Sequence, residues 1–297
     1  MPKLKADILA QLTRIADTLE RRHPGNMTPD ALPAATAYVW QSDIRQLVPV
    51  SKVNGLDISL LKGIDEQRDN LLSNTIGFVQ GFPANNALLW GARGTGKSSL
   101  VKAVHGSVID QGFDLGLVEI HREDIADLPF LMSFLAQIDR YFIIFSDDLA
   151  FEGGESTYKS LKAALEGGIE GRPANIVFYA TSNRRHLMPR QMMENERSTA
   201  ISPSETTEET VSLSDRFGLW IGFHSIDQDT YLAMIDEYIK FYNIKAGDID
   251  VRHEALAWSV GRGSRSGRVA WQFITDLAAR TKTRLSGKQT PQNRPMT

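Results

Sequence analysis

Short apolar runs alternate with amphipathic stretches through the middle of the chain. Five runs are bounded by turn residues and have the length of buried strands, and helical periodicity separates the first four of them. Parallel strands buried on both faces are joined through helices, so the pattern predicts an α/β domain with a covered parallel sheet. The predicted strands are 87–90, 115–120, 141–145, 176–181 and 219–223, and the predicted helices between them are 97–108, 123–138 and 156–166.

The segments on either side of this pattern differ from it. Helical spacing of apolar residues near the N-terminus, with a second short helix at 29–40, predicts a helical extension. Helical patterns return at 231–241, 253–259 and 268–281, which predicts a small helical lid. The predicted organisation is an extension at 1–50, an α/β core at 51–225, a lid at 226–286 and a disordered tail at 287–297, with a mobile polar insertion at 190–212.

Composition excludes several kinds of chemistry. The 297 residues include no cysteine, which rules out disulfides, thiolate zinc sites and thiol nucleophiles. The N-terminal segment is charged and amphipathic, unlike a signal peptide, and no apolar run reaches the roughly 18 residues that span a bilayer. We therefore expect a cytoplasmic protein without membrane contact.

Charge is distributed unevenly along the chain. The formal net charge is −3, yet residues 251–297 contain nine lysines and arginines against two acidic residues, a local charge of +7. Such a basic segment is compatible with an anionic ligand, with nucleic acid or with an acidic face of a neighbouring subunit. A solvated helical surface explains it equally well.

One segment carries a phosphate-binding pattern. Residues 91–98 read GARGTGKS and match G-x-x-x-x-G-K-[ST] in full, between a predicted strand and a predicted helix. Backbone N–H groups of such a loop bind phosphate oxygens, assisted by the positive end of the following helix. We expect Lys97 to reach the β- and γ-phosphates of ATP and Ser98 to bind Mg²⁺. The predicted cofactor-binding residues are Gly91, Ala92, Arg93, Gly94, Thr95, Gly96, Lys97, Ser98 and Ser99.

Two carboxylates follow the third predicted strand. Asp147 and Asp148 come directly after the apolar run YFIIFS, and the C-terminal ends of parallel strands form the edge at which nucleotides bind. There Asp147 can hold magnesium through water, and Asp148 can orient or deprotonate the attacking water. A turn or a helix cap would explain the pair in isolation, but the complete P-loop earlier in the chain favours the functional interpretation.

The fourth predicted strand also ends in polar residues. Thr181, Ser182 or Asn183 could contact the γ-phosphate or the attacking water, and Asn183 is the best placed by pattern. The alternative is an asparagine that is hydrogen-bonded within its own loop.

Together these residues resemble the AAA+ ATPases. Segments reading NNALLWGARGTGKSSLVKA, LKAALEGGIEGRP and YATSNRRHL are similar to a bacterial group of predicted AAA+ ATPases of unknown function, and the resemblance covers about 52–284. It implies a five-stranded parallel core of strand order 5-1-4-3-2, nucleotide bound between core and lid, and assembly into a homo-oligomer. It also implies that Arg216 acts on the nucleotide of a neighbouring subunit and that Arg268 closes the lid over the phosphates of its own subunit.

The acidic pair departs from the family pattern, which usually has Asp-Glu. Aspartate is one methylene shorter than glutamate, so the carboxylate of Asp148 falls about 1.5 Å short, a displacement that can cost ~10²-fold in rate. Glu152 could substitute if the chain turns helically after Asp148. Binding of ATP is therefore better supported by the sequence than fast hydrolysis.

The sequence thus predicts an AAA+ ATPase that uses ATP and Mg²⁺ to remodel or load an unidentified protein partner. Nucleic acid is a second candidate partner, through the basic C-terminal region. Two alternatives stay open: a slowly hydrolysing binding module that ATP switches, and a P-loop kinase acting on a small molecule.

Overall fold

The computed structural model of the protein describes residues 11, 13, 14, 32–150, 155–167, 171–185, 187 and 216–285, with a seven-stranded sheet at their centre. The spatial order of the strands is β2-β1-β4-β5-β6-β3-β7. All neighbours are parallel except β1 and β2. The strands are β1 (Ala37–Gln41), β2 (Gln46–Pro49), β3 (Ala87–Gly91), β4 (Leu115–Glu119), β5 (Tyr141–Ser146), β6 (Ile176–Ser182) and β7 (Leu219–Phe223).

Residues 11, 13 and 14 are helical, and seven further α-helices accompany the sheet in the described ranges from residue 32 onward. They are α1 (Asp65–Val79), α2 (Lys97–Asp110), α3 (Leu128–Leu135), α4 (Glu155–Glu166), α5 (Gln228–Tyr242), α6 (Val251–Gly261) and α7 (Gly267–Arg280). Two 3-10 helices, Ile58–Leu60 and Arg122–Asp127, precede α1 and α3. None of the helices in this part of the chain is both long and apolar enough to cross a membrane.

The predicted five-stranded core is confirmed in its order. When the five predicted strands are numbered 1 to 5 along the chain, their order in space is 5-1-4-3-2. In the numbering of the whole sheet this order is β7, β3, β6, β5 and β4. Successive side chains of a strand point to opposite faces, and both faces of this sheet are covered. Helices α1 and α2 pack on one face, where Ile143 and Phe145 are buried. Helices α3 and α4 pack on the other face, against Phe142 and Ile144.

Two strands were not predicted, and they enlarge the sheet to seven. The helix expected at 29–40 is wrong over its described C-terminal part, because Ala37–Gln41 is a strand that pairs with β4. Tyr38 and Trp40 lie two residues apart and are both almost fully buried on the same face of the sheet. That spacing is the period of a strand and not of a helix. The extension at 1–50 is therefore not helical throughout.

Other elements differ from the expectation in detail. Helix α1 was not predicted, and the single helix expected at 123–138 is a 3-10 turn followed by α3. The insertion expected at 190–212 and the tail expected at 287–297 lie outside the described residues.

Helices α5, α6 and α7 form a separate apolar cluster within the range predicted as the lid, and we call this cluster the lid. Tyr231, Ile235 and Phe273 are buried in it, and Leu60 of the core joins the same cluster. An ion pair between Lys62 and Glu237, 3.2 Å long, adds a second contact between core and lid. The lid therefore rests on the segment between β2 and α1, beside the loop that follows β3.

Candidate nucleotide-binding site

The loop predicted to bind phosphate joins β3 to α2. Gly91, its first residue, pairs with Phe223 of β7 and has a positive φ of 139°. A Cβ atom at this position would lie only 2.1 Å from the carbonyl oxygen of Phe223. Glycine is therefore required at position 91 for close pairing of the two strands. Gly91 and Ala92 do not line the cavity between the core and the lid that is described below. The other predicted cofactor-binding residues do line it: Arg93, Gly94, Thr95, Gly96, Lys97, Ser98 and Ser99.

Lys97 begins α2, and its ammonium group makes three hydrogen bonds, two of them to the loop. Nζ donates hydrogen bonds to the carbonyl oxygens of Gly91 (2.9 Å) and Ala92 (2.8 Å) and to Oδ1 of Asn183 (3.1 Å). The residue is 6% exposed. Burial lowers the pKa of Lys97, while the nearby charges of Asp147 and Asp148 act in the opposite direction. A partly desolvated ammonium group held this way favours an anionic ligand.

Ser98 and Asp147 meet beside this lysine. The hydroxyl of Ser98 donates to Oδ1 of Asp147 over 2.5 Å, although the two residues come from α2 and from the end of β5. The hydroxyl of Thr181, on β6, donates to the same oxygen over 2.5 Å. The structure therefore brings together the two residues predicted to bind magnesium.

Asp148 and Asn183 are also in contact. The side-chain amide of Asn183 donates to Oδ1 of Asp148, while its own Oδ1 accepts from Lys97. Arg93 lies 3.9 Å from the other carboxylate oxygen of Asp148, and both side chains are largely exposed. Asn183 thus connects the lysine of the loop to the second aspartate.

The lid closes one side of a cavity of about 650 Å³. The N–H group of Gly267, at the start of α7, donates to the carbonyl oxygen of Gly94 over 2.9 Å. Arg268 follows and lines the cavity, as does Trp271 one helical turn later. Leu56, Leu60, Met234 and Tyr238 provide an apolar end, and Lys97, Asp147 and Asp148 provide a charged end. This combination suits a ligand with a flat apolar part and an anionic part.

Oxygen ligands suited to Mg²⁺ are present at the charged end. Ser98 and Asp147 supply a hydroxyl and a carboxylate, which are hard donors of the kind that magnesium prefers. No group of three or more acidic or histidine side chains that could hold a metal occurs within the described ranges. A magnesium ion here would depend on phosphate oxygens and water for its remaining ligands.

Arg216, one of the predicted catalytic residues, is not in the cavity lining. Arg216 forms an ion pair with Glu166, the last residue of α4. Glu152 lies outside the described residues. Thr181 was one of three alternatives predicted to contact the γ-phosphate or the attacking water. Tyr238 and Trp271, which line the cavity, were not predicted. The spacing of three residues between Arg268 and Trp271 on one helix was the available signal for the latter.

A solved structure supports the fold. The ORC1 protein of Aeropyrum pernix, solved in complex with DNA, has a TM-score of 0.52 at 16% identity, over 75% of this chain and 63% of that chain. The RuvB Holliday junction branch migration motor of Thermotoga maritima has a TM-score of 0.49 at 16% identity, over 76% and 66%. The chain therefore spans about two thirds of these solved chains. No protein of curated function matches the sequence.

The strand order, with helices on both faces of the sheet, is that of the AAA+ P-loop NTPase fold. The sequence matches one family, described as a protein of unknown function (DUF815), over residues 33–281, which is most of its length. The chain is therefore a member of the DUF815 family and has the AAA+ fold.

Proposed function

We propose that the protein is an AAA+ ATPase that binds ATP with Mg²⁺, hydrolyses it and uses the cycle to act on a macromolecular partner. The observation that carries this proposal is the convergence of Lys97, Ser98, Asp147, Asn183 and Arg268 on one cavity between core and lid. These residues come from four separate elements. Their convergence has an energetic cost, because it buries the ammonium group of Lys97.

In the proposed mechanism, Lys97 exchanges its carbonyl partners for phosphate oxygens. The exchange is favourable because ionised acceptors form stronger hydrogen bonds with an ammonium group than carbonyls do. Arg268 contributes a second cation from the lid, and the apolar end around Met234 and Tyr238 holds the base. Binding therefore draws α7 toward the loop that it already contacts through Gly94.

For the chemical step, Ser98 and Asp147 would hold Mg²⁺, which would neutralise charge on the phosphates. Asp148 accepts a proton from the attacking water, and Asn183 fixes the position of that carboxylate and of the water. Arg216, supplied by a second copy of the chain, stabilises the charge that develops on the γ-phosphate.

Calorimetry with ATP tests the proposal. Lys97→Ala should abolish or severely weaken ATP binding, because it removes the buried cation that the loop holds at the start of α2. Lys102→Ala is the matched control, since Lys102 lies on the same helix and packs over the ring of Phe145, outside the cavity. If folded Lys97→Ala protein binds ATP as tightly as the control variant, the site is not a P-loop site and the proposal fails.

A slow ATP-controlled switch is the second candidate function. It is favoured by the contact between Asn183 and Asp148, because this hydrogen bond occupies a carboxylate oxygen that would otherwise be open to the attacking water. Single-turnover measurements separate the two functions, since a switch would hydrolyse bound ATP over many minutes. In the same assay, phosphate appearing on an added small molecule, and not in solution, would indicate a kinase.

Among partners, we propose further copies of this chain and an unidentified protein. The case for nucleic acid is weakened by ion pairs that occupy part of the basic region: Arg252 pairs with Asp236, and Arg280 with Glu254 and Asp276. Arg262 and Arg265 are exposed in the turn before α7. If they contact phosphates, DNA or RNA binding should fall steeply with salt and weaken in the Arg262→Ala/Arg265→Ala double variant.

A further inference from the structure

Thr181 makes an unusual set of contacts at the end of β6. Its hydroxyl donates to Oδ1 of Asp147 (2.5 Å) and accepts from the backbone N–H of Asp148 (2.9 Å). Its carbonyl oxygen accepts from the N–H of Leu149 (2.7 Å). A single residue of one strand therefore holds three consecutive residues that follow the neighbouring strand.

The directions of these hydrogen bonds are fixed by chemistry. The N–H of Asp148 can only donate, so the hydroxyl of Thr181 accepts there and directs its single proton to the carboxylate of Asp147. Thr181 is 1% exposed, so water does not compete for the hydroxyl. Charge-assisted hydrogen bonds of this kind are stronger than neutral ones.

The backbone of Asp148 explains what the contacts achieve. Its φ is 53°, in the left-handed region that residues with a Cβ atom disfavour and that Asp and Asn tolerate best. Such a conformation persists when its surroundings hold it in place. Here Thr181 holds the N–H group of Asp148 on one side and that of Leu149 on the other.

We propose that Thr181 is a positioning residue that sets both carboxylates of the site: Asp147 through its side chain and Asp148 through its backbone. The proposal rests on the proposed function, which gives the two carboxylates their roles. It also explains the aspartate at position 148. A left-handed residue there favours aspartate over the glutamate that the AAA+ pattern would lead one to expect, so Asp148→Glu should not increase the rate of hydrolysis.

Removing the hydroxyl tests this inference. Thr181→Val keeps the shape of the side chain, and Thr181→Ser restores the hydroxyl. Calorimetry with and without Mg²⁺ gives the gain in ATP affinity that magnesium produces. We expect Thr181→Val to reduce that gain about tenfold, as loss of a hydrogen bond to a charged group would, and to lower kcat with little change in KM or in metal-free affinity. Thr181→Ser should stay within about twofold of wild type.

Thr75→Val is the matched control. Thr75 is also a fully buried threonine, and its hydroxyl contacts the carbonyl oxygen of Leu71 and the hydroxyl of Tyr179 in α1 and β6, outside the cavity. Its loss should lower the melting temperature and leave the magnesium effect unchanged. If Thr181→Val also leaves the magnesium effect unchanged, or if it weakens metal-free binding to the same extent, Thr181 does not position the carboxylates.

A second measurement tests the backbone without nucleotide. With Thr181 in place, Asp148→Gly should melt about 2 °C or more above Asp148→Ala, because glycine adopts a positive φ freely and alanine does not. Equal melting temperatures would contradict the left-handed conformation and the inference with it. This comparison requires neither ATP binding nor a folded Thr181→Val variant. If the wild-type protein fails to bind ATP, that outcome rejects the proposed function alone.

Discussion

The guanidinium group of Arg216 is paired with the carboxylate of Glu166 in the same chain, with Nε 2.8 Å from Oε1. Glu166 ends α4 and Arg216 precedes β7, so the ion pair ties the covering helix to the edge of the sheet. Both side chains are only partly exposed. The side chain of Arg216 is therefore held at a defined place on the surface of the core.

We expect Arg216 to act across a subunit boundary nonetheless. Arg216→Ala and Lys97→Ala should each be nearly inactive, since an arginine supplied in trans can contribute ~10³-fold or more. Mixing the two variants should restore part of the ATPase activity, because some interfaces then combine an intact Arg216 with an intact P-loop. If the activity of the mixture never exceeds that of the separate variants, Arg216 does not act across a subunit boundary.

Glu166→Gln provides the control for that experiment. It removes the charge of the Glu166 side chain while leaving Arg216 in the chain. A partly exposed ion pair contributes only about 0–1 kcal/mol, so this variant should fold and keep most of its turnover. Equal loss of turnover in Glu166→Gln and Arg216→Ala would mean that the arginine acts through the pair, within one subunit.

Asp148→Asn should separate binding from chemistry. The amide keeps the shape and the tolerance for a positive φ but removes the base, so ATP affinity should stay near wild type while turnover falls ~10²-fold. Steady-state kinetics and calorimetry measure the two effects independently. If Asp148→Asn is harmless and Glu152→Gln reduces turnover, Glu152 carries the role instead.

Gly94→Ala should uncouple the lid from the loop. A Cβ atom at Gly94, which has a φ of 77°, would lie 3.0 Å from Cβ and Oγ of Ser266, the N-cap residue of α7. We expect ATP affinity to fall about tenfold as α7 and Arg268 are displaced. Gly106→Ala is the control: Gly106 lies within α2 with open space around it, and alanine there should leave affinity unchanged and raise stability slightly.

His105 should make the fold sensitive to acid. It is 2% exposed, and burial lowers its pKa, while a contact between Nε2 and the carbonyl oxygen of Leu115 opposes that shift. Below about pH 6.5 the unfolded chain takes up a proton that the folded chain does not. The free energy of unfolding therefore falls as the pH falls, by at most about 1.4 kcal/mol per pH unit.

The comparison that isolates this effect uses two histidine variants. His105→Gln should show a smaller drop in melting temperature between about pH 7.5 and about pH 5.5 than wild type. His253→Gln, on the exposed surface of α6, should keep the wild-type drop. If His105→Gln and wild type lose stability in parallel, protonation of His105 does not contribute.

The predictable parts of the molecule are those where local sequence and tertiary structure agree. The five core strands are continuous apolar runs, and the P-loop fixes the start of α2 at Lys97. Helix α1 was missed because its apolar residues are sparse and Gly77 interrupts them. The pair of Arg216 and Glu166 joins residues 50 positions apart, and no local pattern indicates it.

The N-terminal hairpin was missed for a different reason. Its strands have five and four residues, too short for their period of two to stand out against alanine-rich neighbours. What identifies β1 is the burial of Tyr38 and Trp40 against the core, together with pairing to β4. Both depend on a partner that is distant in sequence. The contacts of Thr181 with the acidic pair are likewise tertiary.

The hairpin also sets where a shortened protein can begin. A chain starting at residue 51 would leave β4 at the edge of the sheet, with unpaired N–H and C=O groups along it. It would also remove Trp40, which is fully buried and anchors the 3-10 turn through a hydrogen bond to Asp127. Truncation at that point should give aggregation and proteolysis, whereas a start near residue 33, where the family match begins, retains the whole sheet.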